Sequence, residues 1–226
     1  MSTQGGLNIV TDGLELQIDA DNKLGNVFAD VNNVVNPTDL GTFVNGLTIN
    51  NGLLEFDGVD DRLDLGLFFN NHGNQFTFSF WAKHNVLTSA QCLFWKRGTN
   101  NSDVGCLFNS PATGYGEFAT APPTTSVKTS SYPTVGVWYN VVCTVDFTTS
   151  KSIYYNGALE NTNTSVTSFQ NVLTEEFVLG ARKNNVPSTS FAFNFNGQMS
   201  GISVWDRVLT ATEIKQNYEA LKHNFE

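Results

Sequence analysis

Apolar and polar residues alternate along most of this chain, with Gly and Asn between the runs. In "GLELQID", Leu14, Leu16 and Ile18 alternate with Glu15, Gln17 and Asp19, the pattern of a strand with one face buried. "LLEF" and "RLDLG" read as two short strands separated by the tight acidic turn "DGVDD". In "QFTFSFWAK", Phe76, Phe78 and Phe80 point one way and Thr77, Ser79 and Trp81 the other, because successive side chains of a strand face opposite sides. "AQCLFWK", "VGCLFN" and "YGEFAT" extend the series. "VGVWYNVVCTVD" and "KSIYYNG" read as an antiparallel pair joined near "FTTS", and "EEFVLGA" and "FNGQMSGISVWD" complete the β part. Residues 24–51 read as a long loop with short strands inside it, and "SPATGYG" and "APPTTSVKTSSYP" as loops at one end of the molecule.

The period changes at the end. "LTATEIKQNYEALKHNFE" places Thr210 to cap a helix over residues 210–225, with Glu213 three positions on as in a capping box. Leu209 and Ile214 are spaced to staple the helix entry, and Ile214, Tyr218, Leu221 and Phe225 form one apolar stripe. Lys222 and His223 fall in the last turn, where the helix dipole favours positive charge, and Lys215, Asn217 and Glu219 face water. A single narrow stripe means that the helix lies on something: the sandwich that precedes it, or a partner subunit.

Many short strands with turn signals between them indicate an all-β, two-sheet antiparallel β-sandwich or jelly roll closed by a short C-terminal helix. Helices do not alternate with strands, which excludes a parallel α/β sheet. One domain over residues 1–226 is expected, with 1–10 as a candidate N-terminal arm. A chain of this size buries roughly 70–75% of the surface its unfolded form exposes, so it needs no staples. Only 15% of residues are charged, which leaves Asn, Thr, Ser and Gly to build the polar surface. The formal net charge of -9, with no Lys/Arg run, argues against nucleic acid or an anionic membrane as partner. The three cysteines, Cys92, Cys106 and Cys143, show no metal-ligand spacing and read as buried thiols. The start "MSTQGGLNIV" lacks the basic and apolar regions of a signal peptide, and no stretch approaches the ~18 apolar residues of a membrane span.

Several pieces, taken in order, resemble the laminin G-like, concanavalin A-like jelly-roll superfamily of lectins and glucanases. They are "GLELQIDADN", "LLEFDGVDDRLDLG", "FTFSFWAK", "VWYNVVCTVDFTTSKSIYYNGALENT", "FVLGARKN" and "FNGQMSGISVWDRVLTATEIKQNYEALKHNF". The resemblance covers nearly the whole chain apart from residues 24–51 and 109–133. The closing "EIKQNYEALKHNF" is most similar to versions in structural proteins of tailed bacterial viruses, marine ones included. That likeness implies a non-enzymatic virion surface protein, a capsid decoration or fibre module, assembled in the host cytoplasm. Its partners would be other virion or capsid subunits, host-surface glycans and further copies of itself. The superfamily alone implies the alternative, a stand-alone carbohydrate-binding module that is calcium-dependent in some members.

The candidate chemistry is sparse. Retaining hydrolases of this fold carry E-x-D-x-x-E on one strand, whereas Glu15 and Asp19 are four apart with nothing acidic between them. Glu175 and Glu176 of "TEEF" are adjacent and would face opposite sides of a strand. No G-x-S-x-G, H-E-x-x-H or P-loop occurs, so no catalytic residue and no organic cofactor is expected. Two oxygen-rich clusters would suit one rim calcium: Asp19, Asp21 and Asn22, and Asp57, Asp60 and Asp61. The same residues also serve as turn residues that bond their own backbone. Trp81 and Trp138 read as core, and Trp95, Tyr115 and Tyr132 as the aromatics free to form a sugar platform. Asn100 and Asn163 begin N-x-S/T sequons that read as chance without a secretion signal.

Overall fold

Alternation is what builds the two layers. The computed structural model describes residues 8–18, 41–67, 73–97, 103–108, 114–121, 125–166, 176–184 and 190–226. The strands begin with β1 (Leu14–Ile18), β2 (Thr42–Val44), β3 (Thr48–Asn50), β4 (Leu53–Asp57), β5 (Arg62–Asp64), β6 (Gln75–His84), β7 (Gln91–Arg97) and β8 (Asp103–Phe108). They continue with β9 (Glu117–Ala121), β10 (Thr125–Lys128), β11 (Tyr139–Asp146), β12 (Ser150–Tyr155), β13 (Ala158–Asn163) and β14 (Phe177–Leu179). β15 (Arg182–Lys183), β16 (Phe191–Ala192) and β17 (Asn196–Trp205) precede the helix α1 (Ala211–Leu221) and a 3-10 turn over Lys222–Asn224.

The first sheet runs β13-β12-β11-β6-β17-β4-β3, and the second β10-β9-β8-β7-β14-β5-β2. β17 pairs with β6 on one side; on the other it pairs first with β4 through Asn196–Met199 and then with β1 through Ile202–Trp205. β15 and β16 form a separate ribbon. This is the expected antiparallel sandwich. β10 corrects the reading of "APPTTSVKTSSYP" as loop: Thr125–Lys128 pairs in register with β9, and a polar edge strand carries little hydrophobic signal of its own.

Phenylalanine fills the space between the sheets. Phe76, Phe78 and Phe80 of β6 meet Phe94, Phe108, Phe118 and Phe177 of the second sheet in one buried cluster. Phe94 is its centre, stacked on Phe78 at 4.6 Å, Phe80 at 5.0 Å and Phe177 at 5.6 Å. Cys92, Cys106 and Cys143 are buried free thiols, as expected. One side of the sandwich is closed by side chains: Asn161 and Asn163 of β13 donate to the Lys128 and Ser126 carbonyls of β10. Beside them the Glu160 carboxylate accepts the Ser130 and Ser131 N–H groups at 2.9 Å each.

The closing helix packs back on the outer face of the first sheet. Its capping box is formed, with the Thr210 hydroxyl accepting from Glu213 N–H and the Glu213 carboxylate from Thr210 N–H. Leu209 and Ile214 join Trp205, Val142 and Tyr154 in a second buried cluster, and Tyr218 and Phe225 stack on Trp81 at 5.5 and 4.3 Å. Trp81 is therefore buried, but outside the core between the sheets, and Trp138 is half-buried beside Phe225. Asn217 corrects the helix reading: it is buried, and its side-chain oxygen accepts the Val10 N–H at 2.8 Å. The Gln216 amide donates to the Asn8 carbonyl and Trp205 Nε1 to the Val10 carbonyl, so the two ends of the described chain are laced together. Arg207 grips Glu213 with two bonds of 3.1 and 2.7 Å and holds its carboxyl down to about 2. Lys222 and His223 lie in the 3-10 turn beyond α1 rather than in its last turn.

His84 is fully buried between the sheets. Gln91 Nε2 donates to the Val86 carbonyl, so Gln91 Oε1 must accept from His84 Nδ1 at 2.9 Å, leaving Nε2 to accept from the Tyr139 hydroxyl at 2.7 Å. Burial pushes its pKa down from 6.5 to about 4. As pH falls below 6.5 the unfolded chain takes up a proton that the fold refuses until about 4, so acid removes stability across that window, by about 1.4 kcal/mol per pH unit. A histidine NMR titration should show the His84 ring neutral down to pH about 4, and a ring titrating near 6.5 would contradict this network.

Thr210→Ala should cost about 1 kcal/mol in urea unfolding, the usual worth of a cap. No loss would mean that packing alone holds the helix.

Candidate functional site

Where β4 alternates, Leu54 and Phe56 enter the core, so Glu55 and Asp57 face outward together. Register carries that outer row across the first sheet: Thr48 lies opposite Glu55, Glu55 opposite Gln198, and Gln198 opposite Lys83. At one end of the sheet this row opens into a cleft of about 360 Å³ whose lining includes Asn45, Glu55, Asp57, Asp61, Asn85 and Gln198. The turn between β2 and β3 forms one wall through Asn45 and Gly46, both with positive φ. Gly197 forms the floor, where a Cβ would stand 2.1 Å from the Lys83 carbonyl oxygen.

The loop after β4 folds on its own carboxylates. Asp57 Oδ1 accepts the Val59 N–H at 2.7 Å, and Asp61 Oδ2 accepts the Asp57 N–H at 2.9 Å. Asn196 Nδ2 donates to the Asp57 carbonyl and Asn194 Nδ2 to the Val59 carbonyl, fixing the loop to β17 and the segment before it. Asp57, Asp60 and Asp61 thus bring carboxylate oxygens within 4.8 Å of one another. Asp61 is 4% exposed, and its Oδ1 is buried without a hydrogen-bond partner. Burial first, then the charges of Asp57 and Asp60, raise its pKa above the usual carboxylate value. Between the neighbouring strands β17 and β4, Gln198 Nε2 donates to Glu55 Oε1 at 2.8 Å, leaving Gln198 Oε1 buried and unpartnered. Two buried acceptor oxygens on residues of the cleft lining, Asp61 Oδ1 and Gln198 Oε1, are therefore left without a donor.

Of the residues expected from sequence, Asp57, Asp60 and Asp61 come together, and they are turn residues and an acidic cluster at once. As a donor set, three carboxylates suit a hard cation such as calcium. Asp19, Asp21, Asn22 and Asn100 lie outside the described residues, as does most of the N-terminal arm. Trp95 is not free: it is 4% exposed, packed over Gly105 and covered by the Arg182 guanidinium at 4.6 Å. Tyr115 and Tyr132 are exposed, but neither lines the cleft. Asn163 donates its side-chain amide to the Ser126 carbonyl. Glu55 and Gln198 were not singled out from sequence. The Glu55-x-Asp57 spacing carried a signal for one shared face, whereas nothing in the sequence marked Gln198 as its partner.

Comparison with known proteins agrees with the fold. A family model described as the concanavalin A-like lectin/glucanases superfamily matches residues 57–215. The chain belongs to that superfamily. A search of curated proteins finds no significant match. Among solved structures, domain 4 of AbnA, an extracellular arabinanase from Geobacillus stearothermophilus in complex with arabinotriose, superposes with a TM-score of 0.72 at 16% identity, covering 91% of this chain and 98% of that one. A Trypanosoma rangeli sialidase in complex with an inhibitor has a TM-score of 0.69 at 15% identity, covering 96% of this chain but 34% of that one. Botulinum neurotoxin type C, described as entering cells through two ganglioside molecules, has a TM-score of 0.66 at 15% identity, covering 93% of this chain and 52% of that one. At these identities the likeness is one of fold.

An acid that is buried among two others costs the fold stability. Asp61→Asn should therefore raise the melting temperature of the metal-free protein at neutral pH, because the amide keeps the acceptor for Asp57 N–H and turns a donor toward its acidic neighbours. Calorimetry in EDTA checks this, and a lower melting point would mean that the Asp61 charge supports the loop.

Proposed function

We propose that this protein is a non-catalytic glycan-binding module and that the cleft at the end of the first sheet is its binding site. The observation that carries the reading is the pair of buried, unpartnered acceptors, Asp61 Oδ1 and Gln198 Oε1, on two residues that line one polar cavity. Leaving buried polar atoms unpaired costs roughly 1–3 kcal/mol each, a cost that sugar hydroxyls would offset on binding. Membership of the lectin/glucanase superfamily supports it, as do structural neighbours whose descriptions name arabinotriose and gangliosides. Calcium is a second occupant of the same site, held by Asp57, Asp60 and Asp61.

The closing motif "EIKQNYEALKHNF" supports a second reading compatible with the first, in which the module sits on a virion and grips a host surface. Antibody-gold labelling of purified particles tests it: gold on the shell or on a fibre supports it, and unlabelled particles overturn it.

Two outcomes are expected in solution. A glycan array should give discrete hits, and Gln198→Ala should weaken the best of them about tenfold without lowering the melting temperature; an array silent with and without calcium would overturn the glycan reading. Millimolar calcium should raise the melting temperature of EDTA-treated protein, and Asp61→Asn should abolish the rise. Identical melts would remove calcium from the site.

A further inference from the structure

The hydrogen-bonding polarity of the cleft narrows the ligand class further, given the glycan-binding reading on which this step rests. Glu55 fixes the sense of the Gln198 amide. Its carboxylate can only accept, so the Gln198 nitrogen must face it and the oxygen must face away. Asn50 Nδ2 adds a longer contact of 3.4 Å to the same carboxylate. Asp61 contributes its unpartnered Oδ1 beside Gly46, where a Cβ would stand 3.3 Å from that oxygen. The two buried unpartnered side-chain atoms on residues of the cleft lining, Asp61 Oδ1 and Gln198 Oε1, are both acceptors, so a ligand that pairs them has to bring donors.

Charge points the same way. Glu55, Asp57 and Asp61 line the cleft and Asp60 adjoins it, yet none of the ion pairs among the described residues includes any of them. The cation next in register, Lys83, places its Nζ over the Trp138 ring at 5.1 Å. Elsewhere arginine and lysine are committed to Asp103, Glu176, Asp12, Glu213 and Glu219. A chain of formal charge -9 therefore keeps an uncompensated acidic cavity open at one end of its first sheet. At about 360 Å³ this cavity falls within the range of small-molecule sites.

We propose that the cleft selects a saccharide bearing a protonated amine, in preference to its N-acetylated or carboxylated counterparts. An ammonium group brings three donors and a positive charge to a cleft whose charged residues are all acidic and whose two buried unpaired atoms are acceptors. Acetylation removes the charge and adds a carbonyl acceptor. A uronic or sialic acid brings a carboxylate against three others.

The test is isothermal titration in EDTA near pH 6 with three probes: a glucosamine trimer with free amines, its fully N-acetylated form, and a galacturonate trimer. The free amine should bind at least about tenfold more tightly than either counterpart, the worth of a charge-assisted hydrogen bond. Its affinity should fall as pH rises and the amine loses its proton. Gln198→Ala and Asp61→Asn should each weaken it about tenfold, whereas Glu226→Gln, at an exposed site outside the cleft lining, should not. Circular dichroism and melting of each variant confirm that it is folded. Equal or tighter binding of the acetylated or uronate trimer overturns amine selection and leaves the glycan reading standing. Binding of any probe only after calcium is added overturns it too, and makes the cleft a metal site. Amine binding that ignores both cleft variants, or that falls equally with Glu226→Gln, overturns it as non-specific attraction to an acidic protein. If no probe binds and a glycan array is silent as well, the glycan reading fails together with it.

Discussion

Phe94 stacks on Phe78 and Phe80 of the opposite sheet and on Phe177 of its own, and the position of both sheets follows from that contact. Stacked rings at 4.6 to 5.6 Å fix the spacing of the layers and also their sideways offset, which aliphatic packing would leave looser. With β6 set by its three phenylalanines, β17 and β11 are set by pairing with it, and β4 by pairing with β17. The cleft depends on this chain of registers. A one-residue slip of β4 against β17 would turn Glu55 inward and Leu54 outward, and the Glu55–Gln198 bond would be lost with the core.

The rims are held by different chemistry. On one side the strands β2 and β3 are consecutive and belong to different sheets, so the chain itself is the hinge, and its turn is also a wall of the cleft. On the other side Asn161, Asn163 and Glu160 reach from β13 to the backbone at and beyond β10. That seam keeps two edge strands from presenting free hydrogen-bonding groups to another chain.

Much of this was legible in the sequence where a local rule decides the outcome. The alternation of Phe76, Phe78 and Phe80 with Thr77, Ser79 and Trp81, and the Thr210–Glu213 box, depend on neighbours within a few residues, and both hold. Misreadings arose where a distant segment intervened. Asn217 reads as a solvent residue from helix geometry, but it meets Val10 from the far end of the chain. Trp95 reads as free, but the ribbon of β15 and β16 lays Arg182 over it. Asp57, Asp60 and Asp61 were visible because they are adjacent in sequence; the Glu55–Gln198 half of the site was not, because its members are 143 positions apart.

The lacing of Asn8 and Val10 to Gln216 and Asn217 has a mechanical consequence. A pull on the two ends of the described chain meets a short load path that closes on itself, from the N-terminal strap through two amide side chains into α1. Tension would be borne, and first relieved, by that clasp. The phenylalanine stack and the cleft lie outside the circuit, so tension applied at those two ends bypasses both.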